Sequence, residues 1–168
     1  MVGDFGVGKT SLIRRFVERQ FSDQYLSTVG VKISKKTIEL QGVEQKPDLN
    51  LQMLIWDLEG HTKFKAIAPS YLQGGSGALV VADVTRPETI ERLPEHINLF
   101  LSINPKGLII IALNKSDLVD EEKLEKLEQL VQDLKQEQVI AVYQTSAKIG
   151  LHVDEIFHKL AYQIIAGA

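Results

Sequence analysis

The sequence has no cysteine, no excess of positive charge and no long apolar run, and each absence excludes a class of function. Without cysteine there are no disulfides, thiolate metal sites or cysteine lipidation, so we expect no lipid anchor in this chain. A net charge of −3 gives no reason to expect non-specific binding to nucleic acid. No stretch approaches the roughly 18 apolar residues that span a bilayer, and neither a signal peptide nor a myristoylation glycine is present. We therefore expect a water-soluble, cytoplasmic protein.

The composition is that of one folded domain. At 168 residues, 44% hydrophobic and 24% charged, the chain is close to the average soluble protein and long enough to bury a core. Short apolar runs alternate with longer amphipathic segments, which is typical of an α/β fold with a mainly parallel central sheet and helices on both faces. We interpret residues 1–168 as a single domain of this class.

The hydrophobic patterns also predict the individual elements. Strands are predicted over 32–40, 51–56, 77–84, 107–113 and 139–143, with a polar loop over 41–49. Helices are predicted over 9–19, 88–103 with an interruption at Pro94, 120–136 and 152–165. In the helix over 120–136 we expect a buried stripe of Leu124, Leu127, Leu130, Val131 and Leu134. His96, His152 and His158 lack metal-ligand spacing and are expected at the surface. Only two residues precede the first glycine-rich turn, so the first strand is expected to be a stub or to lack its beginning.

A glycine-rich turn followed by lysine opens the chain, MVGDFGVGKTSL. Gly3, Gly8, Lys9 and Thr10 fit the spacing G-x-x-x-x-G-K-[ST]. Glycines let the backbone turn successive N–H groups inward as a nest for phosphate oxygens, and the following helix adds the positive end of its dipole. The lysine would reach the terminal phosphates and the threonine hydroxyl would bind Mg²⁺. The alternative is an ordinary glycine-rich turn that caps a helix.

A second motif follows the predicted strand over 51–56. Asp57 stands at the end of the strand, where a carboxylate facing the phosphate loop can hold Mg²⁺ through water. Gly60 lies three residues later and can offer its backbone N–H to a γ-phosphate. This D-x-x-G pattern also occurs in ordinary turns, so it supports a nucleotide site only together with other motifs.

Two further motifs indicate guanine. Asn114-Lys115-Ser116-Asp117 follows the strand over 107–113, where ligands bind in open α/β sheets. The Asp117 carboxylate can accept hydrogen bonds from guanine N1–H and its exocyclic amine, and adenine would leave that carboxylate unpaired. The stem of Lys115 would lie over the base and sugar, and Asn114 would tie the loops together. After the last strand, residues 145–148 (Thr-Ser-Ala-Lys) can present a backbone N–H to guanine O6. A surface turn is the alternative for each motif, but their order favours a guanine nucleotide.

These motifs resemble those of the Ras superfamily of small GTPases, most closely its Rab-type members, over essentially the whole chain. GDFGVGKTSL, STVGVKI, TIEL, IWDLEGHTKF, SYLQGGSGALVVADVT, NKSD and TSAK occur in the family order. The resemblance implies the P-loop NTPase fold of small G proteins, binding of GTP and GDP with Mg²⁺, and slow hydrolysis of GTP. It also implies protein regulators and effectors that contact the two switch segments, about 22–35 and 58–73.

The resemblance assigns further residues by their matching positions. Phe21 would stack against the guanine edge, and Tyr25 and Thr28 lie in the first switch, where the threonine closes over Mg²⁺ and the γ-phosphate. The expected nucleotide-binding residues are Gly3, Phe5, Gly6, Val7, Gly8, Lys9, Thr10, Ser11, Phe21, Tyr25, Thr28, Asp57, Gly60, Asn114, Lys115, Asp117, Ser146, Ala147 and Lys148. The expected metal ligands are Thr10, Thr28 and Asp57, and the expected catalytic residues are Lys9 and His61.

Three residues depart from the family pattern near the phosphates. His61 stands where most relatives carry the glutamine that orients water, which predicts slow intrinsic turnover; the alternative is a solvent-facing histidine. Phe5 replaces a small residue beside the γ-phosphate, where it either obstructs an activating arginine or points outward. Glu59 also replaces a small residue, and its carboxylate is expected to perturb Mg²⁺ affinity.

Other departures concern partners. Trp56 and Tyr71 match two of the three aromatic residues of a Rab effector surface, and Ile33 replaces the third. The usual C-terminal cysteines do not occur, which suggests a prokaryotic relative, a soluble member or a piece of a larger protein. The other hypotheses are a non-hydrolysing module that binds GTP or GDP, the G domain of a larger regulatory protein, and an ATP-dependent kinase, which NKSD and TSAK argue against.

Overall fold

A parallel sheet of four strands forms the centre of the molecule. The computed structural model describes residues 1–24, 27–43, 46–60, 68–134 and 136–168. Its strands are β1 (Val2–Gly3), β2 (Val31–Leu40), β3 (Leu49–Leu58), β4 (Gly77–Asp83), β5 (Leu108–Asn114) and β6 (Val139–Gln144). The parallel sheet has the spatial order β1-β4-β5-β6. Its helices are α1 (Lys9–Glu18), α2 (Ala68–Leu72), α3 (Pro87–Glu91), α4 (Leu93–Ile103), α5 (Glu121–Gln132) and α6 (Val153–Ala166). The predicted α/β fold with a mainly parallel sheet is confirmed.

The strands β2 and β3 form a second, antiparallel pair. Their register runs from Val31 opposite Leu58 to Leu40 opposite Leu49, so the pairing covers both strands completely. The amino group of Met1 donates to the carbonyl oxygen of Trp56 at 2.7 Å, which joins the start of β1 to β3. The first strand, β1, has two residues.

Helices cover both faces of the central sheet because neighbouring strand residues point to opposite sides. On one side, Val80 and Ile111 pack in a core with the apolar face of α4. On the other side, Val81 and Ile110 pack with α1 and α6, where the rings of Phe16 and Phe157 stack at 4.1 Å. Because the four strands of the central sheet are parallel, their carboxyl ends lie at one edge of the sheet, and the loops that follow them meet there.

Proline placement explains the break between α3 and α4. The segment 88–103 is interrupted as predicted, but the break lies at Arg92, and Pro94 lies in the first turn of α4. A proline is tolerated there because the first N–H groups of a helix have no partner within it.

Two expectations about exposure are wrong. Leu130 in α5 is 56% exposed, and the fully buried contacts of that helix come from Leu124 and Val131. His96 is not a surface residue, since its side chain is only 12% exposed and contacts Asp4. A hydrogen-bond contact of 2.9 Å between His96 Nε2 and the distant carboxylate of Asp4 accompanies this burial, and helix periodicity could not reveal it.

Among the described residues, no helix combines the length and apolar character needed to cross a membrane.

Candidate functional site

A cavity of about 320 Å³ lies at the edge of the sheet where β1, β5 and β6 end. Fifteen of the predicted nucleotide-binding residues line it: Phe5, Gly6, Gly8, Lys9, Thr10, Ser11, Phe21, Thr28, Gly60, Asn114, Lys115, Asp117, Ser146, Ala147 and Lys148. The fold thus brings together the four sequence motifs, which extend from the first turn of the chain to Lys148.

Three predicted residues that the structure describes lie behind this lining. Gly3 packs against β4, where an added Cβ would lie 2.3 Å from the carbonyl oxygen of Val81. Val7 is fully buried, and Asp57 is 1% exposed behind the cavity wall. The other two predicted residues, Tyr25 and His61, lie outside the described residues.

The cavity also has walls that the motifs did not predict. These additional lining residues are Arg14, Gln20, Ser22, Asp23, Gln24, Leu58 and Leu118. Most belong to α1 or to the loop that follows it, which has no fixed motif to reveal it. One indication in the sequence that this loop lines the cavity is that the loop contains Phe21, which was predicted to contact the guanine.

The loop between β1 and α1 has the form expected of a phosphate-binding turn. Gly6 and Gly8 have φ values of 74° and 100°, a region that strains any residue with a Cβ. At Gly8 a Cβ would also lie 2.3 Å from Nδ2 of Asn114. The backbone can therefore take this path only with glycine at these positions.

Lys9 lies buried at the base of this loop. Its Nζ donates to the carbonyl oxygens of Gly3 and Asp4, each at 2.8 Å. Burial lowers the pKa of Lys9 to about 8, against the opposing effect of the carboxylates of Asp57 and Asp4. A bound anion would offset the cost of burying this charge.

Three oxygen-bearing side chains converge next to Lys9. The Thr10 hydroxyl donates to Oδ2 of Asp57 at 2.5 Å and lies 2.7 Å from the Thr28 hydroxyl. The Thr28 hydroxyl is 3.4 Å from the same carboxylate oxygen. The other oxygen, Asp57 Oδ1, is buried with no hydrogen-bond partner among the described residues.

This cluster fits Mg²⁺, which prefers hard oxygen ligands and keeps several positions for water or phosphate. The unpartnered Asp57 Oδ1 is the specific observation in favour, because a buried carboxylate oxygen without a partner is costly. In the described part of the chain, no group of three or more histidine, cysteine or acidic side chains could hold a metal by itself.

The opposite end of the cavity is organised by Asn114 and Asp117. Asn114 Nδ2 donates to the carbonyl oxygen of Val7 at 2.9 Å, and Thr145 Oγ1 donates to Asn114 Oδ1 at 3.2 Å. The Ser146 hydroxyl donates to Oδ1 of Asp117 at 2.6 Å. These contacts connect the phosphate loop, the NKSD segment and the TSAK segment into one unit.

Two residues that the sequence did not single out fix these loops further. Arg15 Nε donates to the carbonyl oxygen of Ala147 at 2.8 Å, and its Nη2 donates to that of Lys148. Asp83 is fully buried, and its Oδ2 forms an ion pair with Lys115 Nζ at 2.6 Å. Burial would raise the pKa of Asp83, but hydrogen bonds from Lys115 and Thr85 outweigh it and lower that pKa. Neither position carries a sequence signal, because each partner lies far away in the chain.

The two predicted switch segments are joined by a reciprocal contact. The Glu59 N–H donates to the carbonyl oxygen of Gly30 at 2.9 Å, and the Gly30 N–H donates to Glu59 Oε2 at 2.8 Å. Gly60 lies against the phosphate loop, where a Cβ would be 2.5 Å from the backbone nitrogen of Phe5. The segment after β3 therefore touches both the first switch and the phosphate loop.

An apolar patch lies on the exposed side of β2 and β3. Ile33 is 49% exposed, Trp56 38% and Tyr71 40%. Ile33 pairs with Trp56 across the two strands, and the rings of Trp56 and Tyr71 are 6.4 Å apart. These three residues form a surface, not core.

The chain is similar to a well-populated group of proteins. A family model described as "Ras family" matches residues 1–166. The Ras-related protein Rab-13 of Mesocricetus auratus is 33% identical over 166 residues, which cover 98% of this chain and 78% of the relative. Rab-22A of Homo sapiens is 33% identical over 165 residues, with coverage of 98% and 81%. Rab-10 of Caenorhabditis elegans is 32% identical over 169 residues, with coverage of 99% and 79%.

Proposed function

The chain belongs to the Ras family and is a Rab-like small GTPase that binds and hydrolyses GTP, and from that premise we propose which of its residues do so. One observation supports the assignment above all others. The phosphate loop and both guanine motifs line a single cavity, together with Thr10 and Thr28. Asp57 lies directly behind this lining, where it accepts from the Thr10 hydroxyl. We assign the phosphate end to the loop before α1 and the base end to the loops after β5 and β6.

Phosphate binding rests on Lys9 and on the backbone around it. The ammonium lies at the base of the turn, where a polyphosphate would replace the carbonyl oxygens of Gly3 and Asp4 as its partners. Thr10, Thr28 and Asp57 would hold Mg²⁺, which neutralises charge on the β- and γ-phosphates when bound. Ras-family GTPases generally use this ion, and the unpartnered Asp57 Oδ1 is where this chain supports it.

Guanine selection rests on Asp117 and on the backbone of the loop after β6. The carboxylate lines the cavity and is oriented by the Ser146 hydroxyl. It would accept from two guanine donors that adenine lacks, which makes adenine nucleotides costly to bind. Arg15 holds the carbonyl oxygens of Ala147 and Lys148 away, leaving backbone N–H groups of this loop for guanine O6.

Hydrolysis needs positioning more than covalent chemistry from the protein. Lys9 would neutralise the charge that develops on the phosphates. His61 would orient the attacking water, and because it replaces a glutamine we expect slow turnover without an activating partner. Loss of the γ-phosphate would remove the partners of Thr28 and Gly60 and release both switch segments.

Partners of the two switch segments follow from the same logic. Regulators and effectors would contact residues 22–35 and 58–73, which include Ile33 and Tyr71. Trp56 lies next to them, in β3. The exposure of that apolar patch supports a protein-binding role for it.

Single-turnover hydrolysis tests the assignment. The protein is loaded with GTP and Mg²⁺, and GTP and GDP are followed by chromatography. We expect slow conversion that Lys9→Ala abolishes and that His61→Gln accelerates by about tenfold. Lys126→Ala is the matched control, because Lys126 is 71% exposed and pairs only within α5, with Glu122.

Stable retention of GTP without conversion would contradict the catalytic assignment and support a non-hydrolysing module. An equal rate in the Lys9→Ala variant would show that the phosphate end lies elsewhere.

A further inference from the structure

Arg86 lies just outside the cavity and touches the loop that forms its phosphate end. Its Nη1 donates to the carbonyl oxygen of Phe5 at 2.7 Å, and its Nε is 3.0 Å from Oε1 of Glu88. Arg86 is not part of the cavity lining, although Phe5 and Gly6 are. The guanidinium thus holds the phosphate loop from its outer side.

The geometry of a trans peptide gives this contact a consequence inside the cavity. The C=O and N–H of one peptide group point in opposite directions, and the described chain contains no cis peptide. Because the carbonyl of Phe5 points outward to Arg86, the N–H of Gly6 in the same peptide points the other way. Gly6 has a φ of 74° and an added Cβ there would lie 3.4 Å from Arg86 Nη1, so the residue sits between the guanidinium and the cavity.

Arg86 is itself fixed to the central sheet. Its backbone N–H donates to the carbonyl oxygen of Asp83 at 3.0 Å, at the end of β4. Its carbonyl oxygen accepts from the Thr89 hydroxyl at 2.8 Å and from the Thr89 N–H at 3.0 Å. The backbone that carries the guanidinium is therefore anchored at the end of the buried strand β4.

We propose that Arg86 is a positioning residue for the bound polyphosphate, acting through the Phe5–Gly6 peptide. It holds that peptide with its N–H directed at the phosphates, and its positive charge polarises the carbonyl so that the N–H becomes a stronger donor. The proposal rests on the proposed function, since it needs a phosphate in the cavity. It adds a residue after β4 to the machinery that holds the nucleotide.

The test uses the full chain loaded with a fluorescent GDP analogue and Mg²⁺. We expect Arg86→Ala to raise the dissociation rate about tenfold, as loss of a charge-assisted hydrogen bond predicts. Arg86→Lys keeps the charge and is expected to recover part of that loss. Arg19→Ala is the matched control, because Arg19 forms an exposed pair with Asp154 and does not itself line the cavity.

Phosphorus NMR of bound GDP separates this role from a merely structural one. We expect the β-phosphate resonance to shift in Arg86→Ala and to return toward the wild-type position in Arg86→Lys. A dissociation rate and β-phosphate resonance equal to those of wild type would overturn the proposal. Faster release with an unmoved resonance and no recovery by lysine would also overturn it.

Failure of the proposed function gives a different result. In that case the wild-type protein would not retain GDP at all, whereas failure of the Arg86 proposal leaves wild-type binding intact. Urea unfolding of the nucleotide-free variants shows whether Arg86→Ala is folded, and Arg86→Gln provides a second neutral substitution that preserves more of the side chain.

Discussion

At the scale of single residues, Lys9 shows how the fold buries a positively charged side chain where an anionic ligand can bind it. The side chain is nearly buried and is held by two carbonyl oxygens, which carry only partial negative charge. Its lowered pKa reflects that environment. A polyphosphate would stabilise the ammonium and raise the pKa again.

Proton uptake on nucleotide binding is the measurable result. In the nucleotide-free protein, Lys9 has a pKa of about 8, so its amine is largely deprotonated at pH 9. With a nucleotide bound, the phosphates would keep the amine protonated. We therefore expect GDP affinity to fall as the pH rises above 8, because binding must then take up a proton. Titration calorimetry at pH 8.5 in two buffers of different ionisation enthalpy should report uptake of most of one proton, because Lys9 is then mostly deprotonated in the free protein. At pH 7 the lysine is already protonated, and uptake by Lys9 should vanish.

A pH-independent affinity between 7 and 8.5 would contradict this prediction. The groups of the nucleotide do not interfere in this range, because its phosphates are already ionised at pH 8 and its guanine N1–H still keeps its proton.

The site was predictable residue by residue where a motif dictates backbone shape. Gly8 and Asn114 are recognisable from sequence because one must lack a Cβ and the other must reach across to it. Asp83, Arg15 and Arg86 were not, since their partners are backbone carbonyls or a lysine of another segment. Such contacts depend on how the chain folds, so they produce no characteristic spacing of residues in the sequence.

At the scale of elements, Asp4 ties the phosphate loop to α4 and the residue before it. Its carboxylate is 7% exposed and lies 3.1 Å from Arg92 Nη1 and 2.9 Å from His96 Nε2. The backbone of the same residue accepts from Lys9 and lies against Gly60. One residue therefore connects the loop, the helix and the second switch.

Removing that carboxylate should destabilise the fold. We expect Asp4→Ala to lower the free energy of unfolding by about 2 kcal/mol, because it leaves a mostly buried histidine and a half-exposed arginine without their partner. Urea unfolding with an unchanged slope provides the measurement. In the matched control, Asp154→Ala removes an exposed pair with Arg19 and should cost less than about 1 kcal/mol. Equal losses in the two variants would contradict the prediction.

The elements themselves follow closely from hydrophobic periodicity. The strands over β2, β4 and β6 match their predicted ranges to within a residue or two, because alternation and apolar runs record which faces are buried. The exposure of Leu130 could not be predicted, since periodicity places a residue on a helix face without showing how wide the neighbouring sheet is. The reciprocal Glu59–Gly30 contact also arises only when β2 and β3 pair in their actual register.

At the scale of the whole molecule, the central sheet carries two apolar cores and ends in one ligand cavity. A ligand that binds the folded chain alone stabilises all of it, because the loops of the cavity extend from the strands that form both cores.

Thermal unfolding should therefore distinguish nucleotides. GDP with Mg²⁺ at a hundredfold excess over its dissociation constant should raise the midpoint by about 5 to 10 °C. ADP at the same concentration should leave it unchanged, because adenine cannot satisfy Asp117. Asp117→Ala provides the control and should lose most of the GDP effect while keeping its fold, since Asp117 is exposed in the free protein. A similar rise with ADP would contradict the guanine assignment.

The side-chain amide of Asn114 also makes the cavity selective for the length of its ligand. Its Nδ2 is bonded to the carbonyl of Val7 and leaves no room for a Cβ on Gly8, so the base end and the phosphate end stay at a set separation. The cavity then selects ligands by their length as well as by their charge. If guanine binds at Asp117 and the terminal phosphates bind at Lys9, as we propose, GMP would carry no second or third phosphate for Lys9 to bind, whereas GDP and GTP would.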